Sequence, residues 1–243
     1  MERVARPLAV IALISLLALV AAAAPAVARP SKPPEVDVQA VAGMAPDARS
    51  MTVNVLASCP ERWTVVEAVV TVSQPGAVGQ AAFPLTCIGS LRSFWVSVPV
   101  SSGTFELEDA QVSASVVVER GKTAQASDSA VVPVQPLVDV ALAESAQLES
   151  GGGAVVIDVT VACPAGTSGV ESRLVVSQGQ AIGVGLYTPV CDGAPHTFTV
   201  RVEASRGLYR SDFVAQALTF AQIDHAGQIF YGIDDDGSLE LVG

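Results

Sequence analysis

Residues 66–74 read VEAVVTVSQ and residues 170–178 read VESRLVVSQ. In the first stretch Val66, Ala68, Val70 and Val72 fall on one face of an extended chain and Glu67 on the other. In the second, Val170, Ser172, Leu174 and Val176 oppose Glu171. That period of two predicts a strand with one buried face. The stretches stand 104 residues apart, and the same offset extends without a gap to both sides. Cys59-Pro60 falls on Cys163-Pro164 and Cys87 on Cys191, while Gly79, Gly89 and Gly103 fall on Gly183, Gly193 and Gly207. Phe94, Val96 and Val98 fall on Phe198, Val200 and Val202. The chain is one β-rich module used twice.

The alternation recurs through both copies. Val53, Val55, Ala57 and Cys59 share a face, as do Ile157, Val159, Val161 and Cys163. Gln111 to Val118 and Ala215 to Gln222 read as a further strand, and turns near Glu119–Lys122 and Asp224–Gly227 lead to closing segments at Ala130–Val134 and Leu239–Val242. Opening strands at Val36–Val41 and Val138–Ala143 complete the set. No apolar period of 3.6 appears outside the N-terminal segment, so helix should be nearly absent. The expected fold is all-β: two tandem immunoglobulin-like antiparallel β-sandwiches of about seven strands each, following an N-terminal signal peptide. The cysteines depart from a true immunoglobulin domain, whose bridge joins two central strands around a buried Trp. Here the pair is 28 residues apart, and the second copy has no Trp.

Residues 1–28 carry Arg3 and Arg6, an apolar run from Leu8 to Ala24, and Ala26-Val27-Ala28 as a small-residue cleavage site. This is the pattern of an export signal. Its apolar run approaches the length of a membrane span, which makes an uncleaved anchor the alternative reading. No membrane span is expected after signal removal. A Pro-rich spacer, 29–35, precedes repeat 1 at 36–134 and repeat 2 at 136–243, with Pro133 and Pro136 stiffening the short junction. Without residues 1–28 the chain keeps 11 basic and 23 acidic residues, a net charge of −12. That balance disfavours nucleic acid and anionic lipid as partners.

Four cysteines in an exported chain read as two disulfides, and duplication assigns them as Cys59–Cys87 and Cys163–Cys191. Closing a loop of that length contributes ~3–4 kcal/mol on the chain-entropy account. The close thiol spacing of a zinc site is missing, so no metal and no cofactor are expected.

The pattern of Cys59, the Val-rich strand ending Val72-Ser73-Gln74, Cys87-Ile88-Gly89 and Phe94-Trp95-Val96-Ser97-Val98 resembles small secreted β-sandwich domains of unknown function from actinobacteria. The Ala- and Val-rich, Lys-poor composition suits such a source. The resemblance spans about Val53 to Val118 and its copy. It implies fold and export and carries over no functional residue.

Catalytic groups do not assemble in the sequence. His196 and His225 read as solvated loop residues, and no GxSxG or HExxH occurs. Ser150-Gly151-Gly152-Gly153 reads as a loop between strands rather than a phosphate cradle, since a strand and not a helix follows. Asp234-Asp235-Asp236-Gly237 reads as a hairpin in preference to a calcium loop, whose register it lacks. The copies differ most in their aromatics: Trp63 and Trp95 stand where repeat 2 has Thr167 and Thr199. The bland reading covers both tryptophans with neighbouring loops; the sharper one makes them a binding patch for a sugar ring or an apolar partner. The expected function is a secreted, non-catalytic module, extracellular or envelope-associated, for binding, adhesion or spacing. Its partner would be an envelope or extracellular protein or glycan. The alternatives are a secreted hydrolase inhibitor and, further off, a hydrolase.

Overall fold

The computed structural model describes residues 32–243, which form one compact unit. The signal segment and the first residues of the spacer lie outside the described residues. Among the described residues there is no helix. Repeat 1 contains β1 (Glu35–Met44), β2 (Ser50–Ser58), β3 (Thr64–Gln74), β4 (Ala77–Ala82), β5 (Arg92–Ser102), β6 (Ala110–Glu119), β7 (Thr123–Val132) and β8 (Val134–Pro136). Repeat 2 contains β9 (Asp139–Leu142), β10 (Ser145–Leu148), β11 (Ala154–Ala162), β12 (Ser168–Gln178), β13 (Ala181–Tyr187), β14 (His196–Arg206), β15 (Ala215–His225) and β16 (Gln228–Val242).

Each repeat is a single sheet wound on itself. The order in repeat 1 is β7-β6-β3-β4-β5-β2-β1-β8. Because β8 continues the chain of β7 past Pro133, its parallel pairing with Ala42–Met44 of β1 closes the ring. Repeat 2 closes in the same way, with β10 pairing in parallel with Glu240–Val242 of β16 and antiparallel with β11. Barrel-like closure replaces the two separate facing sheets that the alternation alone implied, and it leaves few free edges. The curl is concentrated at β4, which pairs with β3 over six residues and with β5 at only two. Gly79 marks that bend: a Cβ there would stand 2.5 Å from the Pro99 carbonyl and 3.0 Å from the Phe105 ring. Gly183 does the same under Glu203 and Tyr209 in repeat 2.

Two separate cores result. Val53, Val55, Val70, Val72, Val98 and Val116 are buried in the first. Ile157, Val159, Leu174, Val176, Val202 and Leu239 are buried in the second. Each such side chain contributes ~1.5–3 kcal/mol relative to exposure. The inward phase of β3 starts later than the sequence suggested. A register shift between Val65 and Glu67 leaves Val66 59% exposed, with Ala68, Val70 and Val72 buried as expected. β12 has the matching irregularity between Val170 and Arg173. There the buried Ser172 hydroxyl donates to the Val170 carbonyl and accepts from the Gln222 N–H, so the bulge leaves no unpaired amide at Gln222.

The closing strands begin earlier than their apolar ends suggested, at Thr123 and Gln228. The hairpin expected at Asp234–Gly237 is not formed. β16 runs through those residues, and the turn lies at Ala226-Gly227, both at positive φ. Asp234 serves the ring instead. Its carboxylate accepts the Leu142 N–H at 2.8 Å, as Asp128 accepts the Val38 N–H at 2.8 Å, tying β9 to β16 and β1 to β7.

Candidate functional site

The disulfides are Cys59–Cys87 and Cys163–Cys191, with Cα atoms 4.7 and 4.8 Å apart. Each joins the residue just after β2 or β11 to the loop preceding β5 or β14. Gly89 and Gly193 donate backbone N–H groups to the carbonyls of Cys59 and Cys163 at 2.9 and 3.0 Å. Every cysteine is consumed in this way, so no thiol is available for chemistry.

The two tryptophans have different surroundings. Trp63 follows Cys59 in a turn held by its own N–H to the Pro60 carbonyl, and its ring packs, half-buried, on the core of repeat 1. Trp95 lies on β5 opposite Asn54 of β2, on the outer face of the sheet, and is 73% exposed. Beside it Ser93 donates to the Asn54 side-chain carbonyl at 3.0 Å. Repeat 2 fills both positions with hydrogen-bonding residues. Thr167 closes its turn on the Pro164 carbonyl at 2.8 Å, and Thr199 donates to Asp158 across the strands at 2.8 Å. Trp95 therefore stands as a free aromatic plane among small polar side chains, while Trp63 is part of the packing.

A concavity of about 390 Å³ opens where the copies meet and is lined by residues that include Pro46, Asp47, Asp139, Thr160 and Gly193. The Asp139 carboxyl is held above its ordinary range, first by partial burial and then by the Asp47 charge. The junction beside this cleft is tied into the first sheet: Gln135 and Pro136 pair with Gly43 and Met44, and the Leu137 N–H donates to the Met44 carbonyl.

The histidines lie apart, on different strands. His196 Nε2 sits 2.8 Å from the Asp192 carboxylate, which is held below its usual range by the Ala194 N–H and by His196. Among the described residues neither histidine is hydrogen-bonded to a serine, threonine or cysteine. Glu67 and Glu171 are exposed on outer faces.

Two features escaped the sequence reading. The repeated Gln74 and Gln178 each anchor a loop of their copy, the one that follows β5 and the one that follows β14. Gln74 donates to the Glu106 and Glu108 carbonyls and accepts the Glu106 N–H; Gln178 donates to those of Arg210 and Phe213 and accepts the Arg210 N–H. The other is an apolar outer face on repeat 2. The gapless frame hid it, because one residue is inserted between Arg210 and Ala215 and the strands beyond it match at other offsets. No protein-family model matches the chain, and no curated protein is significantly similar to it in sequence.

Proposed function

We propose that this chain is an exported, non-catalytic binding module whose ligand surface is centred on Trp95, with a glycan of the cell envelope as the ligand class. The exposure of Trp95 carries this reading. A large ring standing clear of a sheet face leaves apolar area in water, and the second copy shows that the same strand forms with threonine there. Such a plane stacks on the C–H face of a sugar; beside it the Asn54 side-chain N–H groups can donate to sugar oxygens, and the Ser93 oxygen, whose proton goes to Asn54, can accept from a sugar hydroxyl. Each barrel is read as a variant of the immunoglobulin-like sandwich, since its opening segment, β1 in repeat 1 and the successive β9 and β10 in repeat 2, pairs antiparallel with β2 or β11 and then in parallel with β8 or β16. Export is supported by the pattern of residues 1–28 and by two closed disulfides, which persist in oxidising compartments.

Titration calorimetry of the mature protein with solubilised envelope polysaccharide tests the reading. Trp95→Thr should leave the circular dichroism spectrum unchanged and weaken binding at least ~30-fold, the loss of an anchor of about 2 kcal/mol. Trp63→Thr should lower stability and leave affinity within a few-fold. Undiminished binding by the Trp95 variant would remove the proposed surface.

A further inference from the structure

The outer face of repeat 2 is apolar where the same face of repeat 1 is largely polar. Across β13, β12, β15 and β16 one row of directly opposed residues reads Leu186, Arg173, Phe220 and Ile233. The next reads Val184, Val175, Leu218 and Asp235. The corresponding rows across β4, β3, β6 and β7 read Ala82, Val69, Ser115 and Ser127, then Gln80, Thr71, Ser113 and Ser129. Only Ala82 and Val69 are apolar there, so the barrel closes without large apolar side chains at the positions of Val184, Val175, Leu218, Phe220 and Ile233, and folding does not explain them. Leu186, Val184 and Ile233 are exposed, and neighbouring Tyr231 extends the patch along β16.

Arg173 identifies what fits this face. It is exposed at the middle of the apolar row and makes no ion pair among the described residues. Asp235 is exposed on the far side of β15, one row away. Arg173 and Asp235 are thus placed diagonally about the midpoint between Phe220 and Leu218. A two-fold axis lying in the face through that midpoint sets Arg173 of one copy on Asp235 of the other, twice, with Phe220 and Leu218 enclosed between them. We propose that this face is the self-association surface of the protein, and that its occupant is the same face of a second copy. The proposal is independent of the Trp95 ligand surface.

The size of the face sets the strength. Four strands and about six residues of strand length give a footprint of ~400 Å². A standard interface covers ~800 Å² per partner. The pair should therefore be concentration-dependent rather than obligate. The net negative charge opposes it weakly, because exposed charges more than ~8 Å apart are screened at physiological ionic strength.

Sedimentation velocity of the mature protein over a hundredfold concentration range is the test. The native protein should pass from one-copy to two-copy mass. Leu218→Ser with Phe220→Ser, the residues that repeat 1 uses, should weaken association at least thirtyfold with an unchanged circular dichroism spectrum. Arg173→Asp and Asp235→Arg, both at exposed positions, should each leave one-copy protein. An equimolar mixture of those two variants should recover the two-copy species, because each cross-contact again joins opposite charges. A native protein of one-copy mass throughout overturns the proposal and leaves the face to a different partner. Failure of the mixture to recover, or serine variants that associate as the native protein does, also overturns it.

Discussion

Gln178 makes its three hydrogen bonds from a nearly buried position, whereas Gln74 makes its three from a more exposed one. Gln178→Leu should therefore cost about 2–3 kcal/mol in urea denaturation and Gln74→Leu less, since water can replace partners only at the exposed site. The sequence displayed both glutamines as a repeated Val-Ser-Gln, but not their role, because their partners are backbone groups that any residue could supply. Tyr209 was equally silent in sequence. It is the buried counterpart of Phe105, and burial pushes its phenol from 10.0 up to about 12. Above pH 10 the unfolded chain releases this proton and the folded chain retains it, so stability falls as pH rises through the window from 10 to about 12. The slope for one such group is about 1.4 kcal/mol per pH unit. Tyr187 is raised in the same direction by burial, so Tyr209→Phe should remove part of the alkaline destabilisation and leave the rest. Chemical denaturation at pH 8 and pH 11 measures the difference; an unchanged pH dependence would contradict the assignment.

At the scale of elements, legibility followed the apolar alternation. Strands such as β2, β5 and β6 bury valines at every second position, and their phase was readable from the side chains alone. β7 and β16 were read too short because Gln125, Ser127 and Ser129 in one, and Asp234–Asp236 in the other, give no apolar signal. Their strand state is imposed by pairing along the whole of β6 and β15. The bulges in β3 and β12 were invisible for a related reason, since a register shift belongs to a pair of strands. The seam aspartates follow from the same geometry, and removing one tests the closure. Asp234→Ala should cost about 2 kcal/mol, the range for a hydrogen bond to a charged acceptor, and accelerate hydrogen exchange at the Leu142 amide. Protection at Leu142 equal to that of the native protein would show that the first strand of repeat 2 is held by other means.

For the whole molecule, duplication was legible at once, and the disulfide pairing followed from it. The barrel-like closure was not, because it depends on β4 and on the parallel pairing of the chain ends, which no local pattern encodes. Nor was the division of labour between outer faces. Repeat 1 presents Trp95 and a serine-rich sheet, and repeat 2 presents the apolar rows around Phe220; the contrast appears only when residues are matched by strand pairing. The two cores share no residue, and the first sheet ends with Pro136. With a core and a bridge in each copy, the two barrels are expected to fold independently. Non-reducing urea denaturation of residues 32–136 and 137–243, expressed separately with their disulfides formed, tests it most directly. Each half should unfold in a single cooperative transition, with m-values that scale with its size. A half that shows no cooperative transition while its disulfide is intact would mean that the barrels depend on each other to fold.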